Sequence, residues 1–278
     1  MPTSQQEAAI RFGCFFGTLA VMTVWELLAP RRPLTQSKPL RWSSNLGLAL
    51  MNNVVWRLLI PAGAVGLAAA VQAQGWGLFN RFAWPEWFEV AASVVLFDLA
   101  IYAQHWVFHR VPWLWRLHLV HHVDLDFDAT TGIRFHTVET LLSFVWKAAV
   151  IVLLGPATLA IMIFEILLNA TALFNHSNAR LPLWLDRILR LVLVTPDMHR
   201  VHHSIEDHET NSNYGFCLSW WDFLFRTYDA QPDAGHDGMT IGRPQFRGSQ
   251  VERLPFMLLL PFQRELPPTP CRRRTTTN

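Results

Sequence analysis

Five long apolar stretches with few charges constrain this 278-residue chain more than any other feature of its sequence. About 20 apolar residues is the length a helix needs to cross a bilayer, where the backbone has to satisfy its own hydrogen bonds. Residues 8–29 meet that length. Only Arg11 precedes the core of this stretch, which is longer than a signal-peptide core, so it reads as a retained first span. Pro30 and Pro33 end it, and the following loop carries Arg31, Arg32, Lys38 and Arg41. Residues 45–71 form a second span with a kink expected at Pro61, and 72–87, with Trp76, Trp84 and Trp87, an interfacial connector. Residues 88–102 form a third apolar helix that continues into His105 and His109. Residues 138–154 and 157–174 read as a helical hairpin turning at Gly155-Pro156. The expected fold is an all-α, polytopic membrane bundle of about four to five spans with a cytoplasmic histidine-rich cap.

Composition agrees. The chain is 51% hydrophobic and 16% charged, against about 25% charged in soluble domains. A net charge of +2 is too small to indicate nucleic acid as a partner. Cys14, Cys217 and Cys271 are far apart and form no CxxC pair, which argues against a disulfide framework and a thiolate zinc module. Any metal is therefore to be held by nitrogen and oxygen donors.

The positive-inside rule puts the basic loop 31–41 in the cytoplasm. The spans then alternate so that every histidine cluster falls on that same side. Asp98, Lys147 and Glu165 lie within spans, where an unpaired charge is costly, and are expected to face the bundle interior and pair or snorkel. Asp98, Tyr102, His105 and His109 fall at i, i+4, i+7 and i+11, one polar stripe on one helix. Residues 183–194 suit an amphipathic interfacial helix. A polar cap runs to about Asp233, and a basic, proline-rich end closes at Arg272, Arg273 and Arg274, its last residues expected to be disordered. Three regions result: 1–87, spans and connector; 88–233, catalytic; 234–278, tail.

Three motifs carry the chemistry. His105 and His109 form HxxxH; His118, His121 and His122 form HxxHH; His199, His202 and His203 repeat it. Positions i, i+3 and i+4 share a helix face, so each cluster is expected to aim its imidazoles at one point. Random order of 12 histidines would give roughly 0.02 HxxHH triplets per chain, so two of them indicate metal binding. Eight imidazoles exceed the four ligands of one zinc and fit two metal ions better. His176 is a candidate ninth ligand and His136 a further ligand or supporting group. A ligating imidazole needs a partner on its other nitrogen. Asp98, Asp124, Asp126, Asp128, Glu139, Asn175, Asp197, Asp207 and Asn213 are near enough in sequence to serve.

The order HxxxH, HxxHH, HxxHH within apolar spans resembles the fatty acid hydroxylase and sterol desaturase superfamily. The likeness covers about residues 96–228, including Thr195-Pro196-Asp197-Met198-His199, Asn213-Tyr214-Gly215 and Trp220-Trp221-Asp222. It implies a non-haem di-iron centre, O2 as co-substrate, and an external electron donor such as a ferredoxin, cytochrome or reductase. It also implies hydroxylation or desaturation of a lipid. By motif the iron ligands are His105, His109, His118, His121, His122, His199, His202 and His203, with His176 added. Ala172 stands four before His176, where some lipid hydroxylases of the group have another histidine.

Two other readings use the same residues. A zinc-dependent membrane hydrolase or isomerase would need a carboxylate base such as Glu139 or Glu206, though HExxH is absent. A non-catalytic metal or lipid binder is the other; transport is disfavoured because the candidate ligands gather at one face and not at the midplane.

Overall fold

The computed structural model describes residues 4–266, 268 and 269; the basic run Arg272–Arg274 and the expected disorder of the last residues lie outside them. Regular structure among the described residues is helical, with isolated bridges pairing Pro30 with Ala179, Leu193 with Leu218, and Ser204 with Ile241. The long helices are α1 (Ser4–Leu28), α2 (Lys38–Leu59), α3 (Gly63–Ala73), α4 (Glu86–Arg110), α5 (Pro112–His122), α6 (Thr137–Leu154) and α7 (Thr158–Asn175). Shorter ones follow: α8 (Leu183–Leu189), α9 (Pro196–His202), α10 (Asp207–Thr210), α11 (Trp220–Leu224), α12 (Gly235–Gly238) and α13 (Leu254–Leu259).

Local chemistry sets the helix limits. The helix breaks after Leu59, at the kink expected for Pro61, which has no N–H to donate and clashes with the preceding turn. Pro112 and Pro196 open α5 and α9, where a missing N–H costs nothing. The α6–α7 hairpin turns at Gly155, whose φ of 62° closes α6. A Cβ there would lie 2.1 Å from the Trp76 carbonyl oxygen. Gly77, at φ 90°, meets Gly155 in the same close approach.

Five stretches are long and apolar enough to span a bilayer: Gln5–Leu28, Lys38–Ala73, Glu86–Arg110, Thr137–Leu154 and Thr158–Asn175. Only 11% to 39% of their most apolar windows is buried within the protein, so most of that surface needs hydrocarbon around it. This is an integral membrane protein. The bundle interior packs α3, α4, α6 and α7 around Ala68, Phe97, Ile101, Ile151, Ile161 and Phe164. The charges inside it are paired, as expected. Glu165 Oε1 accepts from Lys147 at 3.2 Å and Oε2 from Arg11 at 2.5 Å.

One end of the bundle carries the cap. There α1, α4 and α7 finish while α2 and α6 begin. Arg41, fully buried, donates to Asp124 through Nε and Nη2 at 2.8 and 2.9 Å and to Asp128 at 2.6 Å. Burial would raise the Asp124 carboxyl, but Arg41 and Arg134 outweigh it and hold it at about 2. The stretch after Asp233, read from sequence as a tail, folds back onto the cap as far as Leu266. Val251, Met257 and Leu260 join Leu48, Trp115 and Leu119 in one core, and Glu252 pairs with Arg134 at 2.5 Å.

Candidate metal centre

The last two turns of α4 present His105 and His109, and α5 follows after one intervening residue, bringing His118, His121 and His122 back beside them. α7 delivers His176 at its C-cap, and α9 delivers His199 and His202, with His203 at its end. All nine are buried. They fall into two groups, His105, His109, His118, His122 and His202 in one, and His121, His176, His199 and His203 in the other. Within each group the ligand nitrogens all lie within 4.8 Å of one another.

The triplets do not each aim at one point, as the sequence suggested. Each divides between the groups. His118 and His122 enter the five-membered group while His121 enters the four-membered one; His199 and His203 enter the four-membered group while His202 crosses to the five. Helix geometry explains the division. At about 100° per residue, positions i and i+4 diverge by about 40°, whereas i+3 points about 100° away from i+4. An i, i+4 pair therefore serves one centre and the i+3 residue serves its neighbour.

The donor set fits metal. Bonds of about 2.1 Å at right angles put neighbouring ligand nitrogens about 3 Å apart. The Nε2 atoms of His105 and His118 are 3.1 Å apart, those of His121 and His176 3.1 Å, and those of His176 and His199 3.0 Å. Both ring nitrogens of His109, His122 and His203, and Nε2 of His202, are buried without a hydrogen-bond partner. Such orphaned nitrogens are costly unless a cation takes their lone pairs. Burial lowers His118 and His176 to about 3 and drives His121, His122, His199, His202 and His203 well below the usual imidazole range. The imidazoles are thus neutral, as ligands have to be.

Four rings are fixed through Nδ1. His105 donates to the Tyr214 carbonyl at 2.9 Å, His176 to the Ala172 carbonyl at 2.8 Å, and His202 to the Ser212 carbonyl at 2.7 Å. His118 donates to Glu139 Oε1 at 2.6 Å. Each leaves Nε2 as the free lone pair facing its group. Three of these acceptors are backbone carbonyls, which leave no sequence signal; Ala172 serves through the carbonyl of the position noted for its missing histidine.

The other candidates stand further out. His136 caps α6, its Nδ1 accepting from the Val138 N–H, with Nε2 on the Leu258 carbonyl at 3.3 Å. It joins neither group. Asp98 accepts from the Cys217 and Leu218 N–H groups and from Trp221 Nε1 at 2.8 Å. Asn175 donates to the Phe216 carbonyl at 2.8 Å, so both residues hold the 214–218 loop against the site. Asn213, at φ 50°, ties Met198 to Asp229. Asp197 pairs with Arg200 and Arg31. Glu206 is exposed, outside the site. Phe127, Phe135 and Phe216 wall the four-histidine group.

Residues 90–227 match the fatty acid hydroxylase family, and all nine histidines lie within that range. The chain belongs to the fatty acid hydroxylase superfamily. Among curated relatives it is 28% identical over 78% of its length to ornithine lipid hydroxylase OlsE of Rhizobium tropici, covering 66% of that protein. It is 26% identical over 51% of its length to human alkylglycerol monooxygenase, covering 31%. It is 28% identical over 80% of its length to the cholesterol 25-hydroxylase-like protein of Danio rerio, covering 94%. The chain thus spans less than two thirds of the length of the first two of these hydroxylase relatives. No solved structure matches it.

Proposed function

We propose that this protein is a membrane-bound, non-haem di-iron oxygenase that hydroxylates or desaturates a lipid, with O2 as co-substrate and electrons from an external donor. One observation carries the reading: nine buried imidazoles gathered as a group of five beside a group of four. His105, His109, His118, His122 and His202 would hold one iron, and His121, His176, His199 and His203 the other. Two irons so held would supply the oxidising chemistry needed at an unactivated C–H bond. The relatives are named as hydroxylases and monooxygenases of lipids, which supports a lipid substrate.

The chain's own groups do the rest. The carbonyls of Tyr214, Ala172 and Ser212 and the carboxylate of Glu139 orient four rings so that Nε2 faces inward. Phe127, Phe135 and Phe216 exclude water beside His121, His176, His199 and His203. Asp98 braces the segment carrying Phe216 from below. Arg31, Arg32, Lys38 and Arg41 support a cytoplasmic position for this end of the bundle.

Anaerobic purification in detergent, metal analysis and Mössbauer spectroscopy of isotopically enriched protein test the reading. Two irons per chain with a coupled-pair spectrum, and O2 uptake that depends on added lipid, are expected. Zinc retained and iron refused even after growth without zinc would overturn it in favour of a hydrolase.

A further inference from the structure

Behind the five-histidine group stand two tyrosine rings, which can lose an electron. The chain has 3 tyrosines against 19 phenylalanines, and two of the three form the first two layers behind this group. The fully buried Tyr214 ring lies 5.1 Å from His109, 5.4 Å from His202 and 5.5 Å from His105, centroid to centroid. Tyr102 meets Tyr214 edge-on at 6.3 Å. Phe225, 51% exposed, stacks on Tyr102 at 5.3 Å with the planes 19° apart, so the row of rings reaches the cap surface.

The four-histidine group is walled differently. The aromatic rings within contact of its members, other than imidazoles, are phenylalanines among the described residues: Phe127, Phe135 and Phe216. Phenylalanine is far harder to oxidise than tyrosine. Trp115 does touch the five-histidine group, at 4.9 Å from His109, but it faces the apolar core and its indole N–H has no acceptor.

Tyr102 is also equipped to lose a proton. Phenol oxidation is accessible only when the acidic proton of the oxidised ring can leave with the electron. The Tyr102 hydroxyl lies 2.8 Å from Thr227 Oγ1, which in turn donates to Asp222 Oδ1 at 2.7 Å. The Tyr214 and Gly215 N–H groups hold that carboxylate in place, each at 2.8 Å. Burial raises Asp222 to about 6, which leaves it ionised at neutral pH and able to take a proton.

We propose that Tyr214 and Tyr102 form a one-electron relay between the five-histidine metal position and the cap surface at Phe225, with Thr227 and Asp222 receiving the Tyr102 proton. This rests on the di-iron reading above. Tyr102 gives one electron, through the Tyr214 ring, to the oxidised metal centre. Its O–H bond breaks, the proton passes to Thr227 Oγ1, and the Thr227 proton passes to Asp222. The external one-electron donor that the oxygenase reading already requires then reduces the Tyr102 radical, and both protons return. The relay brings in reducing equivalents during turnover and drains oxidising ones when no lipid is bound.

The full chain, loaded with iron and reduced anaerobically, is mixed with O2 without lipid, freeze-quenched and read by EPR, with iron measured on the same samples. A tyrosyl-radical signal is expected that narrows after growth on ring-deuterated tyrosine. Tyr102→Phe abolishes it and Tyr214→Phe slows its appearance, both at unchanged iron content. Thr227→Val keeps the ring packing but removes the group that takes the Tyr102 proton, and is expected to suppress the signal at unchanged iron content. Normal iron content and O2 uptake with no tyrosyl signal, or a signal that survives in both phenylalanine variants, overturns the relay alone. A chain that takes up no iron overturns the relay and the di-iron reading together.

Discussion

Glu139, in the first turn of α6, accepts a 2.6 Å hydrogen bond from His118 Nδ1, and both side chains are buried. This contact joins the hairpin in the membrane to the histidine cap and fixes which nitrogen His118 turns toward its group. The partner of a ligating imidazole typically affects metal affinity by about 10–100-fold. Glu139→Ala is expected to weaken iron binding by about that factor, and Glu139→Gln by less, because an amide oxygen still accepts. Competition against a chelator measures both.

Gly132 packs against the α7 end, where a Cβ would lie 2.5 Å from the Ala172 carbonyl oxygen and 3.2 Å from His176 Nδ1. Gly132→Ala is expected to displace His176 and halve the metal content by emptying the four-histidine group. Gly13→Ala and Gly17→Ala, where an added Cβ meets nothing within 4 Å, should keep the full content.

His136 separates capping from ligation. Because it caps α6 and joins neither group, His136→Ala should retain all metal. The lost cap is expected to lower stability by about 1 kcal/mol. Metal analysis and a thermal melt on one preparation check both halves.

Acid should unfold the metal-free protein through its histidines. Burial holds His118 and His176 at about 3 in the folded state, against about 6.5 in the unfolded chain. The unfolded state therefore binds more protons as pH falls, and stability falls with it across the window between those values. Each such histidine removes up to about 1.4 kcal/mol per pH unit there. Melting temperature in detergent should be flat above that window and drop steeply within it, while bound metal flattens the drop.

Glu165 sits between Lys147 and Arg11 inside the bundle. Glu165→Gln strands Lys147, while Arg11 keeps Glu7, and is expected to cost about 3 kcal/mol. Pairing it with Lys147→Met should recover part of that loss, which a thermal melt of the two variants measures.

What the sequence determined by itself was whatever depends on neighbours along the chain. Apolar length and proline placement locate the five spans and the break at Pro61, because a helix in hydrocarbon is a local hydrogen-bonding solution. The spacing of His118, His121 and His122 and its repeat at His199, His202 and His203 mark a candidate metal site for the same local reason. Tertiary structure alone decided the partnerships. His202 joins the group of His105, and His121 that of His176, because two helix ends face each other and the i+3 residue of each points across the gap. The carbonyls of Tyr214, Ala172 and Ser212 became the supports of three rings, a role any residue type can fill, so no sequence pattern marks it. The segment around Glu252, basic and proline-rich in sequence, became part of the cap because Arg134 lies buried opposite it and needs a buried counter-charge.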